Sequence, residues 1–204
     1  MKTVQLSAVL PLIASALLAQ TPDFRKATWG MDRAQVVAAE GTSPTQIGER
    51  GSETVLRYEQ AHLAGLDCRV VYILAKDKLV RAKYVFQREH DEKNGFIADF
   101  AMVDAFLTAT MERPTKQRVS WRNDLYETEP QHYGEAVATG QLLYSTQWTA
   151  KATVITHALT GDNGVITHEI EYVSVSLEPW EDQITSSPSA NAPAALQSAA
   201  AAQN

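Results

Sequence analysis

Two histidines near the end of the sequence, His157 and His168, are the residues whose type and spacing could do specific chemistry. They flank Gly161-Asp162-Asn163-Gly164, a strong hairpin signal because Asn and Gly tolerate positive φ. Read as a four-residue loop, that turn pairs Thr160 with Val165. Counting back along both strands then sets His157 opposite His168 with both side chains on one face. Two imidazoles whose Cβ atoms lie ~5 Å apart could share a divalent metal such as zinc or copper. That reading needs a third ligand, and the neighbouring Glu169 and Glu171 alternate onto the opposite face. The competing reading is a pair of half-exposed histidines on the wet face of a hairpin.

A second constellation is aromatic. Trp121, Tyr126, Tyr133 and Trp148 cluster in the stretch least explained by regular structure, where they could line a ligand groove or pack as ordinary core. The acidic pairs Asp91-Glu92, Glu127 with Glu129, and Glu181-Asp182 lack the alternating oxygen-ligand spacing of a calcium loop. The sequence has no G-x-S-x-G elbow, no glycine-rich phosphate loop and no H-E-x-x-H, so no hydrolase or nucleotide-binding reading has a motif behind it and no cofactor is implied. The single cysteine, Cys68, lies in a strand pattern and reads as a buried thiol; one cysteine cannot form an internal disulfide.

The elements that must position these residues follow from periodicity. Strands are expected over 54–60, then through Leu66, Cys68, Val70, Tyr72 and Leu74, and through Val80, Ala82, Tyr84 and Phe86, the last two joined by a turn near Ala75 to Lys78. A helix from about Gly95 to Glu112, capped by Asn94 and ended by Pro114, carries Phe96, Phe100, Val103, Leu107 and Met111 at helical spacing and can cover the sheet. A short helix over 133–138 and two long strands, about 145–160 and 165–177, complete the chain, while 42–52 reads as an exposed loop. The fold class is therefore α+β: an antiparallel sheet covered on one face by helices, in two loosely repeated helix-plus-strands halves, 20–112 and 113–181.

The stretch Phe24 to Gly41 has the densest local instructions. Asp32 can cap a short helix over 33–40, Gln35 completes a capping box, Met31 and Val36 form a hydrophobic staple, and Gly41 closes the other end. Trp29 supplies a ring to bury. Phe24, Trp29-Gly30-Met31, Asp32, Gln35-Val36 and Glu40-Gly41 together resemble the opening of a group of uncharacterised bacterial secreted proteins that begin F-x-x-x-x-W-G-M-S-x-x-E-V. The later Y-x-F run, the helix, a W-x-x-x-L-Y segment and the long hairpin are similar to the same group. Asp32 for Ser and Gln35 for Glu depart from the phrase but keep its capping chemistry. The resemblance implies export and assigns no activity. A vaguer similarity is to small envelope lipoproteins that support outer-membrane assembly, whose lipid-modified cysteine this chain lacks at its cleavage point.

Lys2 and the apolar run from Val4 to Leu18 read as a secretory signal over residues 1–19, with Ala16 a competing cleavage point, and the run is too short to span a bilayer. The Ala/Ser/Pro-rich tail, 182–204, has no apolar period and reads as disordered. Between them a single domain, 20–181, is expected. The formal charge of −6, one unit more negative without Lys2, excludes a strongly basic nucleic-acid surface. The expectation is a secreted or periplasmic protein without a membrane span after cleavage, a non-enzymatic binding module for an envelope protein, peptide or envelope component. The alternatives are metal or small-ligand binding on the His157/His168 face, and an enzyme with an unrecognised site.

Overall fold

Alternating apolar and polar residues form strands here wherever one face of the chain can be buried, and the computed structural model, which describes residues 21–111 and 113–177, is mostly sheet. In chain order the elements are α1 (Arg33–Glu40), β1 (Gln46–Arg50), β2 (Glu53–Leu63), β3 (Leu66–Ala75), β4 (Lys78–Phe86), α2 (Asn94–Thr110), β5 (Lys116–Trp121), α3 (Tyr133–Ala138), β6 (Leu142–Ala150), β7 (Thr153–Asp162) and β8 (Val165–Ser174). The strands form one antiparallel sheet in the order β1-β2-β3-β4-β8-β7-β6-β5. Each half of the chain is a helix followed by four antiparallel strands, with α3 inserted between β5 and β6 in the second half, and the two final strands, β4 and β8, pair at the centre. The expected leader, the expected tail and the Glu181-Asp182 pair lie outside the described residues.

The three helices cover one face. α1 buries Val36 among Phe24, Leu56, Tyr72 and Leu79; α2 lays Val103 and Leu107 over Cys68, Phe86, Trp148, Ile155 and Ile170; α3 buries Ala136 and Val137 against Leu142 and Leu159. Phe24 is the fully packed ring of the N-terminal segment, 4.8–5.4 Å from Tyr72, Tyr84 and Tyr172. Trp29, expected to be buried, is only half-buried, because its indole N–H reaches Thr153 Oγ1 of β7 at 2.9 Å. The capping box of α1 is present, with Asp32 accepting from Gln35 N and Gly41 in the left-handed conformation. The opposite sheet face carries cross-strand ion pairs, Lys83 with Glu169 and Glu171, and Arg81 with Glu53 and Glu171.

Several expectations are corrected. Residues 46–50, within the stretch read as a loop, form β1, and 116–121 form β5. Both are edge strands, polar because only one neighbour pairs with them. Asn94 does not cap α2: it is the first helical residue, and its side chain instead accepts from Gly134 N at 2.6 Å and donates to the carbonyls of Pro130 and Gln131, tying α3 to the start of α2. The last hairpin turns on Asn163-Gly164 alone, both at positive φ, a two-residue turn whose twist matches the strands. That shifts the register by two: His157 faces Ile170 and His168 faces Leu159, so the histidines are diagonal neighbours on one face and not directly opposed. The face is not the wet one, because α2 lies over it.

Candidate functional site

α2 carries two charged residues, Asp99 and Asp104, in its mostly apolar length, and each meets a histidine from outside the helix. Asp104 Oδ1 lies 3.1 Å from His157 Nδ1, and His157 Nε2 lies 2.9 Å from His168 Nε2. The result is a continuous chain from helix to hairpin. Aromatic rings close it from both sides: Phe100 stacks on His157 at 4.1 Å and Phe86 on His168 at 4.2 Å. His157 is 0% exposed and His168 4%.

The protons of this chain follow from its partners. A carboxylate only accepts, so His157 must donate from Nδ1 and keep a bare Nε2. His168 must then donate from its own Nε2, and its Nδ1 is left with a lone pair. Burial, partly offset by Asp104, holds the His157 imidazole well below its ordinary range. Burial and the adjacent His157 do the same to His168. Both rings are therefore neutral at pH 7. The His168 Nδ1 makes no hydrogen bond to a described residue and is not sealed from solvent.

His168 lies at the floor of a cleft of about 390 Å³ between the β4–α2 connection and the tip of the last hairpin. Arg88, His90, Lys93 and Phe96 line the same cleft, with Gly164 to Ile166 on the far wall. His90 Nε2 sits 2.6 Å from the buried Asp99, which also receives Arg88 at 3.3 Å. The His90 ring rests directly on Gly95, where an added Cβ would fall 2.3 Å from His90 Nδ1. Lys93 pairs with Glu135 of α3 at 2.8 Å. Two histidines thus line one cleft, His90 backed directly by Asp99 and His168 backed by Asp104 through His157.

As a metal site the pair is incomplete. Zinc–nitrogen distances are ~2.0–2.1 Å in a tetrahedral set of four ligands. Here Asp104 occupies the far nitrogen of His157, and among the described residues no group of three His, Cys, Asp or Glu could hold a metal ion. Asp104 stands where a carboxylate orients a metal-binding imidazole, behind the ring and not beside it.

The structure brings together three of the four expected groove aromatics. Trp121 meets Tyr133 edge-on at 5.1 Å, and Tyr126 packs on the same cluster beside α3. Trp148 belongs to the neighbouring cluster under α2 with Leu107 and Ile155. Asp104, Asp99, His90 and Arg88 were not singled out by the sequence reading. The available signal was the isolation of two carboxylates within an apolar helix, each adjacent in sequence to a buried stripe position, Phe100 or Val103. No family model, no curated protein and no solved structure matches the chain.

Proposed function

We propose that the protein is an exported binding protein for a small polar ligand, which it holds in the cleft floored by His168. The observation that carries this reading is the Asp104–His157–His168 chain, whose last nitrogen is an unpartnered acceptor in a cleft of small-molecule size. His168 itself is 4% exposed, and two further residues hold its open nitrogen in one tautomer, which presents a fixed acceptor to a guest. Arg88, His90 and Lys93 around it favour a polar guest over an apolar one. Lys2 and the apolar run after it support export, and among the described residues no helix is long and apolar enough to cross a membrane.

Imidazole ¹⁵N resonances test the reading. A ligand from a fragment library of small hydrogen-bond donors should shift the His168 Nδ1 resonance and leave that of His157 Nδ1 nearly in place. If no fragment moves the His168 signal, the cleft is not a binding site and a partner-binding surface elsewhere becomes the better reading.

A further inference from the structure

The cleft floor can accept a hydrogen bond and cannot give one. His168 is 4% exposed, its Nε2–H is committed to His157, and its Nδ1 has no partner. An oxyanion whose oxygens are all bare would set lone pair against lone pair there, whereas an oxyanion carrying a proton donates it. The same cleft offers Arg88 and Lys93, on a chain of net charge −6. Glu89 also lines it, and Asp99 and Glu135 answer Arg88 and Lys93, so the local charge is mixed. A fully ionised strong-acid anion satisfies the cations and is repelled by the floor; a neutral alcohol satisfies the floor alone.

Resting on the small-ligand reading above, we infer that the cleft binds an oxyanion that carries its own proton, phosphate or a phosphate monoester, with its O–H donated to His168 Nδ1 and its charged oxygens toward Arg88 and Lys93. Sulfate and phosphodiesters, which have no proton to give, are rejected. Asp104 and His157 are positioning residues: they touch no ligand and fix the direction in which the hydrogen bonds run. The floor remains an acceptor across the working range because burial keeps both imidazoles unprotonated.

Calorimetric titration of the intact protein with inorganic phosphate, sulfate and methyl phosphate tests this. Phosphate should bind at least ~10-fold more tightly than sulfate, the size expected for one buried hydrogen bond made or denied. Asp104→Leu frees the chain to reverse, so His168 can donate, and the preference should fall to within about threefold. His168→Phe, a shape that can stack on Phe86, should abolish it. Arg88→Ala, at an exposed position, should weaken both anions alike and leave their ratio unchanged.

Free phosphate keeps an O–H at about pH 5.5 and at about pH 7.5, whereas a monoester gives its last proton up near pH 6, so methyl phosphate, which has no alcohol O–H to offer instead, should bind only at the lower value. The ionisable groups facing the site, His90 with Asp99, Glu89, and His157 with Asp104, could add their own pH dependence, and sulfate measured at both values reads it. Tighter binding of the ester at the lower pH would name monoesters as the source, and tighter binding of phosphate would name the free ion. Equal affinity for phosphate and sulfate, an unchanged ratio in Asp104→Leu, or undiminished ester binding at the higher pH overturns the inference. If neutral fragments shift His168 and phosphate does not bind, the inference fails while the small-ligand reading stands; if neither binds, both fail.

Discussion

At the scale of single residues, a pair of neutral histidines in the interior ties stability to pH with a definite sign. In the unfolded chain each imidazole titrates near 6.5; in the fold, burial lowers His157 to about 4 and His168 to about 3. Between those values the unfolded chain binds protons that the native state refuses, so stability is complete above about pH 6.5 and falls as pH drops through the window, by ~1.4 kcal/mol for each tenfold difference in proton affinity. Urea melts from about pH 7 to about pH 4 should show this loss, and a His157→Phe, His168→Phe double variant should flatten it. A flat wild-type curve would mean that the pair is charged or open to water. The metal alternative also needs both imidazoles unprotonated, but with a lone pair of each given to the ion. Zinc added to chelator-treated protein at about pH 7.5 should raise the melting temperature little, since two ligands make a weak site. A large rise that vanishes in the double variant would place metal binding first. The histidines were legible in the sequence because strand alternation fixes faces. Their true register was not, because Gly161-Asp162-Asn163-Gly164 can close as two residues or four and only the strand twist selects between them.

At the scale of elements, α1 was readable from its caps and α2 from its apolar spacing, since those signals are local. β1 and β5 were not, because an edge strand with one partner and one wet face has no alternation to display. Asn94 shows how tertiary contacts override a local rule: a residue suited to capping its own helix spends its amide on α3. The seat of α3 is equally unwritten in local sequence. Gly161 of β7 lies so close under α3 that a Cβ there would fall 2.1 Å from the carbonyl oxygen of Val137. Gly161→Ala should therefore cost ~3 kcal/mol or more by overpacking, whereas Asp32→Ala, which removes only the cap of α1, should cost ~1 kcal/mol. Chemical denaturation of both variants gives the comparison. Near-equal losses would mean that α3 is loosely held.

At the scale of the whole molecule, the two halves share one sheet and one core, and we expect them to unfold as a unit. The β4–β8 pairing joins them, the ion pairs of Lys83 with Glu169 and Glu171 cross that seam, and the cluster beneath α2 takes Leu66, Cys68 and Phe86 from one half and Trp148, Ile155 and Ile170 from the other. Fragments cut between them, residues 21–92 and 93–177, should each lack a dispersed amide spectrum, while the whole chain unfolds in a single transition at one midpoint by every probe. A folded fragment would show that the halves are separate domains. The sequence displayed inner strands and the β3–β4 and β7–β8 hairpins but not the pairing of β4 with β8, since that pairing joins residues about ninety positions apart and leaves no local trace. The seam also has an optical consequence. Trp148 sits within it, 2% exposed, with an indole N–H that has no partner, while Trp29 and Trp121 are half-exposed. An excited indole screened from water dipoles emits at shorter wavelength than one in contact with them, so the blue edge of the protein's own fluorescence reports whether its two halves are closed on each other.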